Sequence, residues 1–185
     1  MEQLSGFLSE NGLRLLGKTS KGWSSDVFLA VGAEGEKFVL KVLREKSNRR
    51  QMPRKETEFL RLANSVGVGP KWLKTDSTQG IVMMAHVNGV HFGEWLFTRI
   101  SKAELENFID ALLDQARRLD EIGLDHGQLA GKGKNILVRN GLPVIIDFEK
   151  ASASRKCHNA KVLQSFLFRS KNSAVVKRIG ELLGS

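Results

Sequence analysis

Six residues of this chain are of types that could handle a phosphate and a hard cation: Lys41, Glu56, Asp125, Gln128, Asn135 and Asp147. An amide carbonyl oxygen and a carboxylate are both hard oxygen ligands. Mg²⁺ takes one or two such groups and completes its shell with water and substrate phosphates. Asn135 and Asp147 stand 12 residues apart, on either side of ILVRNGLPVII. Asn-Gly between two apolar runs signals a hairpin, because both residues tolerate positive φ. Paired outward from that turn, Arg139 faces Leu142, Val138 faces Pro143, Leu137 faces Val144 and Ile136 faces Ile145. Asn135 then faces Ile146, and Asp147 is the next residue out. This register predicts that Asn135 and Asp147 meet at the open end of one hairpin, and one bulge would spoil it. The competing reading has Asn135 open a strand and Asp147 cap the turn that follows.

Lys41 stands inside the apolar run FVLKVLR. Alternation puts Phe38, Leu40 and Val42 on one face and Val39, Lys41 and Leu43 on the other. A lysine sharing its face with aliphatics needs an anionic partner or an exposed position. Glu56, in E-x-x-F-L on the following predicted helix, could reach it; otherwise it is a solvated helix acid, and Glu58 is a competitor. Upstream, GKTSKGWSSDVFLA (residues 17–30) places Gly17, Gly22 and small polar residues before a strand. Amides of such a loop can lie over phosphates, or the segment is an ordinary hairpin turn.

The elements that must position these groups are legible in outline. Residues 12–44 read as a β-meander, with AEGE as a turn between VFLAV and KFVLKVL. Pro53 fits the first turn of a helix whose Phe59, Leu60, Leu62 and Ala63 can share a face. IVMMAHV (residues 81–87) reads as a buried strand. The clearest helix spans about 102–122: Leu105, Phe108, Ile109, Leu112, Leu113, Ala116 and Leu119 recur at helical spacing, Ser101 with Glu104 makes a capping box, and Gly123 suits its end. Helices are expected again over 159–168 and 173–183. The class is α+β, with a strand-rich part over 1–85 and a helical part over 86–185.

The chain has 185 residues, 41% hydrophobic and 26% charged, the balance of a soluble globular protein. Its net charge of +9, from 29 Lys and Arg against 20 Asp and Glu, suits an anionic partner: nucleotide, nucleic acid or an acidic protein. A basic but inert surface is the alternative. The excess concentrates in 40–55 and in the last 35 residues. Cys157 is the only cysteine, so no intramolecular disulfide forms. Cys157 and His158 have no matching pair for a zinc site. No apolar run reaches bilayer length, and residues 1–12 lack a signal-peptide pattern. The expectation is a cytoplasmic protein without membrane attachment. Oligomeric state is open. Trp23, Trp72 and Trp95 are scattered and read as packing or lobe contacts before nucleic-acid stacking.

The order of glycine-containing turn, VFLA, strand lysine, helix glutamate, apolar strand, helix, DHGQL, NILV and VIIDFEKAS resembles the protein-kinase fold over roughly residues 14–150. It is most similar to small atypical kinases: the RIO kinases, the kinase subunit of the KEOPS tRNA-modification complex, and short archaeal predicted serine/threonine kinases with a DHGQ motif. The resemblance implies a bilobal fold with a minimal C-terminal lobe that binds ATP and Mg²⁺ between lobes. Lys41 then resembles the lysine on the α- and β-phosphates, and Glu56 its helix partner. Gly17, Gly22 and Val27 resemble the cover over phosphates and adenine, and Met83, Met84, Ala85 and His86 the hinge that reads the adenine edge. Asp147 resembles the metal-binding Asp of DFG, and Asn135 the second metal ligand.

Three departures matter. The catalytic loop reads His126-Gly127-Gln128, so neutral Gln128 stands where kinases place the Asp that accepts the hydroxyl proton. Gln128 can orient a hydroxyl or a water but cannot act as a base near neutral pH. Asp125 could serve as a displaced base, or simply cap the preceding turn. The loop is also long: Asn135 stands seven positions after Gln128, against five from Asp to Asn in HRDxxxxN, and Lys132 and Lys134 stand in it. Glu149 replaces the flexible glycine of DFG. Only 35 residues follow Lys150, with no APE motif, which argues against broad recognition of peptides. Function is therefore expected as phosphoryl transfer to a hydroxyl, or ATP hydrolysis, with a nucleotide-binding pseudokinase or an RNA- or protein-interaction module as the alternative.

Overall fold

The computed structural model describes residues 2–48, 50–130, 133–170 and 173–184. Its elements run α1 (Glu2–Glu10), β1 (Arg14–Lys21), β2 (Ser25–Val31), β3 (Lys37–Leu43), α2 (Met52–Ser65), β4 (Trp72–Asp76) and β5 (Ile81–Ala85). They continue with β6 (Val90–His91), α3 (Phe92–Leu96), α4 (Lys102–Glu121), β7 (Ile136–Arg139), β8 (Leu142–Ile145), α5 (Asn159–Phe168) and α6 (Ala174–Leu183). Two compact units result: residues 1–61 with 70–86, and residues 62–69 with 87–185. None of the described helices is long and apolar enough to cross a membrane.

The first unit is built on an antiparallel sheet in the order β1-β2-β3-β5-β4. Its two faces follow from the pairing. Phe28 faces Leu40 and Leu40 faces Met83; Val42 faces Ile81. That face packs under α1, where Leu4 and Phe7 join Phe28, Ala30, Leu40 and Ile81 in one buried cluster. The acidic, amphipathic start thus forms a helix because its Leu4–Phe7 stripe has an apolar sheet face to cover. Burying the two side chains is worth roughly 3–6 kcal/mol together. The opposite face carries the row Ser20, Val27, Lys41, Val82 and Thr75. α2 is bonded to this row: Thr57 and Thr75 hydroxyls hydrogen-bond, and Arg61 lies 4.8 Å over the Trp72 ring. Met52, Pro53, Glu56, Leu60 and Ala63 are its buried stripe, while Phe59 and Leu62 are half-buried and Glu58 is exposed.

In the second unit α4 buries Leu105, Phe108, Ile109, Leu112, Leu113, Ala116 and Leu119 along one side. Phe92 stacks on Phe108 at 5.2 Å and meets Phe166 edge-on at 6.2 Å. A small sheet, β6-β7-β8, lies here. The capping box is present. The Glu104 amide donates to Ser101 Oγ at 3.2 Å, and the Ser101 amide and hydroxyl both donate to Glu104 Oε2 at 2.7 Å.

Two outcomes test this account. Phe7→Ala should lower stability by about 3–5 kcal/mol, read by urea denaturation; a loss within experimental error would mean that α1 is not part of the core. The hydroxyl and amide of Ser101 hold the Glu104 carboxyl below its ordinary value of 4.5. A depressed folded value means the cap contributes above pH 4.5 and is lost as pH falls through the folded value. Hydrogen-exchange protection in the first turn of α4 should therefore drop in acid, and Glu104→Gln should remove that dependence.

Candidate functional site

The Lys41–Glu56 pair belongs to the first unit. Lys41 is flanked by Val27 on β2 and Val82 on β5. Its side chain is 11% exposed and its ammonium bonds the carboxylate of Glu56, which is 1% exposed. The helical phase selects Glu56: it lies on the stripe with Leu60 and Ala63, whereas Glu58 points to solvent. An ammonium in an apolar sheet must be paired because desolvating it alone costs several kcal/mol. The pair also fixes where the ammonium sits, which is what a phosphate-binding lysine needs.

The glycine segment differs from its expected form. Gly17 lies in β1, opposite Leu29 and next to an irregularity in the pairing, instead of in a loop. The turn is Gly22-Trp23-Ser24, and the Gly22 amide donates to the Ser25 carbonyl at 2.8 Å. A Cβ at Gly22 would lie 2.9 Å from that oxygen, so only glycine closes the turn without shifting it. The segment expected as a hinge splits in two. Met83 packs on the α1 side, and Met84 pairs with Val39 on the Lys41 side. The Ala85 amide donates to the Lys71 carbonyl at 2.8 Å and the His86 amide to the Lys37 carbonyl at 3.1 Å. Burial, then the Lys37 charge, lowers the pKa of His86, so its ring is neutral at pH 7.

The Asn135 and Asp147 group belongs to the second unit. The β7–β8 register is the one read from the sequence, Ile136 to Ile145 and Arg139 to Leu142. Asn140 and Gly141 turn it with φ of 52° and 77°. The ladder continues one residue further, as the Ile146 amide donates to the Asn135 carbonyl at 2.9 Å. Asp147 follows with φ 69° and ψ 73°, the left-handed region, and it occupies the N-cap position of a 3-10 turn (Phe148–Lys150) without a side-chain cap bond. The left-handed region costs a non-glycine residue about 1–3 kcal/mol, and such conformations cluster at functional sites. Asn135 donates from Nδ2 to the Gln128 carbonyl at 3.3 Å, which turns the amide's donor inward and leaves Oδ1 as the atom of the type a cation takes. Among the described residues no group of three or more His, Cys, Asp and Glu is placed to hold a metal ion. An Asn–Asp pair suits Mg²⁺, which keeps water and phosphate in its shell.

Residues that the sequence reading missed hold this group in place. His126 is fully buried. Its Nε2 donates to the Ile146 carbonyl at 3.0 Å, and its ring meets Phe148 edge-on at 4.9 Å. It therefore grips both neighbours of Asp147. The His126 amide donates to Asn159 Oδ1 at 2.9 Å, and Asn159 Nδ2 donates to the Leu124 carbonyl and to Asp120. The Asp120 carboxylate also accepts the amides of Asn159 and Ala160 at the start of α5. Asp120 and Asn159 lie 39 residues apart, so no local spacing announces them.

Asp125 is engaged elsewhere. Its backbone pairs with Ser152 in both directions, and its carboxylate accepts from Arg155 Nε at 2.7 Å. Gln128 is half-buried and Lys134 exposed; Lys132 lies outside the described residues. Burial, then Asp120 and Asp125, raise the Cys157 thiol pKa, which keeps it protonated and unreactive at neutral pH.

Removing one member of the Lys41–Glu56 pair leaves the other buried and alone. Glu56→Ala should cost about 3–5 kcal/mol, and Lys41→Met with Glu56→Leu should recover most of it. Equal losses in single and double variants, measured by denaturant unfolding, would show that the pair is not coupled.

No protein-family profile matches this chain, and no curated protein sequence matches it. Solved structures do. A Rio2 kinase–ADP/Mg²⁺–phosphoaspartate complex from Chaetomium thermophilum aligns with TM-score 0.66 and 17% identity over 99% of this chain. The match spans 66% of that Rio2 chain. The autoinhibited serine kinase domain of the giant muscle protein titin aligns with TM-score 0.71 and 13% identity over 96% of this chain and 67% of its own. At these identities the likeness speaks for architecture: the chain has a protein-kinase-like fold.

Proposed function

We propose that this chain is an ATP- and Mg²⁺-dependent atypical serine/threonine kinase or kinase-like ATPase. The observation that carries the reading is Asp147. It is held in left-handed backbone directly after the residue paired to Asn135. Strain of that kind is maintained where the side chain is needed. In this reading Asn135 and Asp147 carry Mg²⁺, and Lys41, set by Glu56, takes the nucleotide α- and β-phosphates. Gly17, Gly22 and Val27 would cover the nucleotide, and the Met83, Met84, Ala85 and His86 segment would lie along the adenine edge, with the Ala85 and His86 amides already engaged. The Rio2 structure is a complex with ADP and Mg²⁺, and the same cofactors are assigned here.

Gln128 orients the attacking hydroxyl, or a water, without taking its proton. Asp125, tied to Arg155, acts as a structural acid. Phosphoryl transfer rests mainly on positioning and charge neutralisation, so the absent base slows the reaction without abolishing it. The neutral Gln128 also favours a second reading, a pseudokinase that holds nucleotide without turning it over.

Transfer from labelled ATP, to a mixed hydroxyl-bearing acceptor or to water, decides between them. The wild type should turn over slowly and Asp147→Ala should fall to background. Equal signals from both would defeat the catalytic reading, and Mg²⁺-dependent thermal stabilisation by ATP without turnover would establish the pseudokinase. Gln128→Asp should raise single-turnover transfer by about tenfold or more, because it supplies the missing base.

A further inference from the structure

Trp23 is the most exposed large apolar side chain among the described residues. It is 88% exposed, where Leu16, Val90, Phe97, Leu142 and Phe168 range from 41% to 56%. An indole left in water forgoes a large hydrophobic gain, and its place in the fold shows that it is not merely loose. The Gly22-Trp23-Ser24 turn is braced from β3's end. Arg44 Nη1 donates to the Gly22 and Trp23 carbonyls at 3.3 and 3.4 Å, and the Arg44 amide donates to the Ser24 carbonyl at 3.0 Å. The backbone beneath the indole is thus fixed while its ring is open. The exposure removes the packing reading of Trp23 and leaves its stacking alternative.

Beside the ring is a cavity of about 290 Å³ lined by Trp23, Arg44, Lys46, Ser47 and Asn48. Lys46 and Asn48 are exposed. The sequence run REKSNRR (residues 44–50), which supplies four of the lining residues, carries four cations against one carboxylate. The lining therefore offers a π-face, a guanidinium, an ammonium, a hydroxyl and a carboxamide. A phosphate needs only the cations. A base needs the π-face, and its polar edge suits a carboxamide that both donates and accepts. Stacked aromatic plus basic track is how single-stranded nucleic acids are held, whereas a duplex keeps its bases stacked on each other and offers no free face to the indole. The volume sits at the low end of small-ligand sites, roughly 300–1,000 Å³, and so takes one base at a time.

The site is separate from the segment assigned to adenine. Ser25 pairs with Leu43, which puts the Trp23 turn and the exit of β3 at one end of the sheet. Phe38 pairs with Ala85 and the His86 amide bonds Lys37, which puts that segment at the other end. We propose that the Trp23–Arg44–Lys46 pocket binds single-stranded nucleic acid, stacking one base on Trp23 and neutralising the flanking phosphates with Arg44 and Lys46. This does not rest on the phosphotransfer reading.

The experiment is fluorescence anisotropy of the full chain with a labelled oligouridylate at low salt. Wild-type protein should bind, with affinity falling steeply as salt rises. Trp23→Ala should weaken binding about tenfold, as for loss of one stacked base, while Trp23→Phe should keep most of it. Lys46→Glu should weaken it and flatten the salt dependence. Trp23 and Lys46 are exposed, so both variants should unfold at the wild-type temperature. Absence of oligonucleotide binding overturns the proposal. So does a Trp23→Ala affinity equal to wild type, equal binding of duplex RNA, or a phosphoserine peptide retained as tightly and released by the same substitution.

Discussion

Strand register decides which side chains of this protein can act together. The side-chain period of a strand is two, so a slip of one residue sends every side chain to the other face. In the first unit that rule puts Lys41 level with Val27 and Val82, opposite the face covered by α1. In the second it sets Ile146 against Asn135 and brings Asp147 to the hairpin's open end. Shift either register and the ammonium enters the apolar cluster, or Asn135 and Asp147 part. Both registers are pinned from outside the strands: by the Asn140-Gly141 turn in one unit, and by α1 and α2 on opposite faces of the sheet in the other.

Polar groups are buried here only where a partner holds them. Lys41 and Glu56 answer each other. Asp120, Asn159 and His126 form a chain of bonds that ends on the carbonyl next to Asp147. A partly satisfied buried network is worse than an apolar core, so such arrangements hold one geometry. The result is that loop 125–130 is tied at several points and passes that hold to the residues on either side of Asp147.

Much of this was legible in the sequence because the signals were local. Asn140-Gly141 sets the hairpin, Ser101 and Glu104 mark the start of α4, and the alternation of FVLKVLR assigns Lys41 its face. The choice of Glu56 over Glu58 was also available, since only residue 56 keeps helical phase with Leu60 and Ala63. What escaped was non-local. α1 has only Leu4 and Phe7 fully buried, too few for periodicity to register before its partner face is known. β4 reads WLKTD, with half its residues polar, and gains strand form by pairing with β5. Gly17 reads as loop and is strand because irregular pairing on β1 admits it. Asp120 and Asn159 meet only once α4 and α5 are packed.

The backbone at Asp147 makes stability and chemistry separable at one position. Its left-handed conformation is strained for an aspartate and easy for a glycine. A glycine there would relax the turn while removing the carboxylate. A chain so altered would express, fold and melt like a healthy protein, yet lack the side chain on which the proposed chemistry rests. Loss of function at this residue would thus leave no trace in any assay of folding or abundance, and a screen for destabilised variants would pass over it.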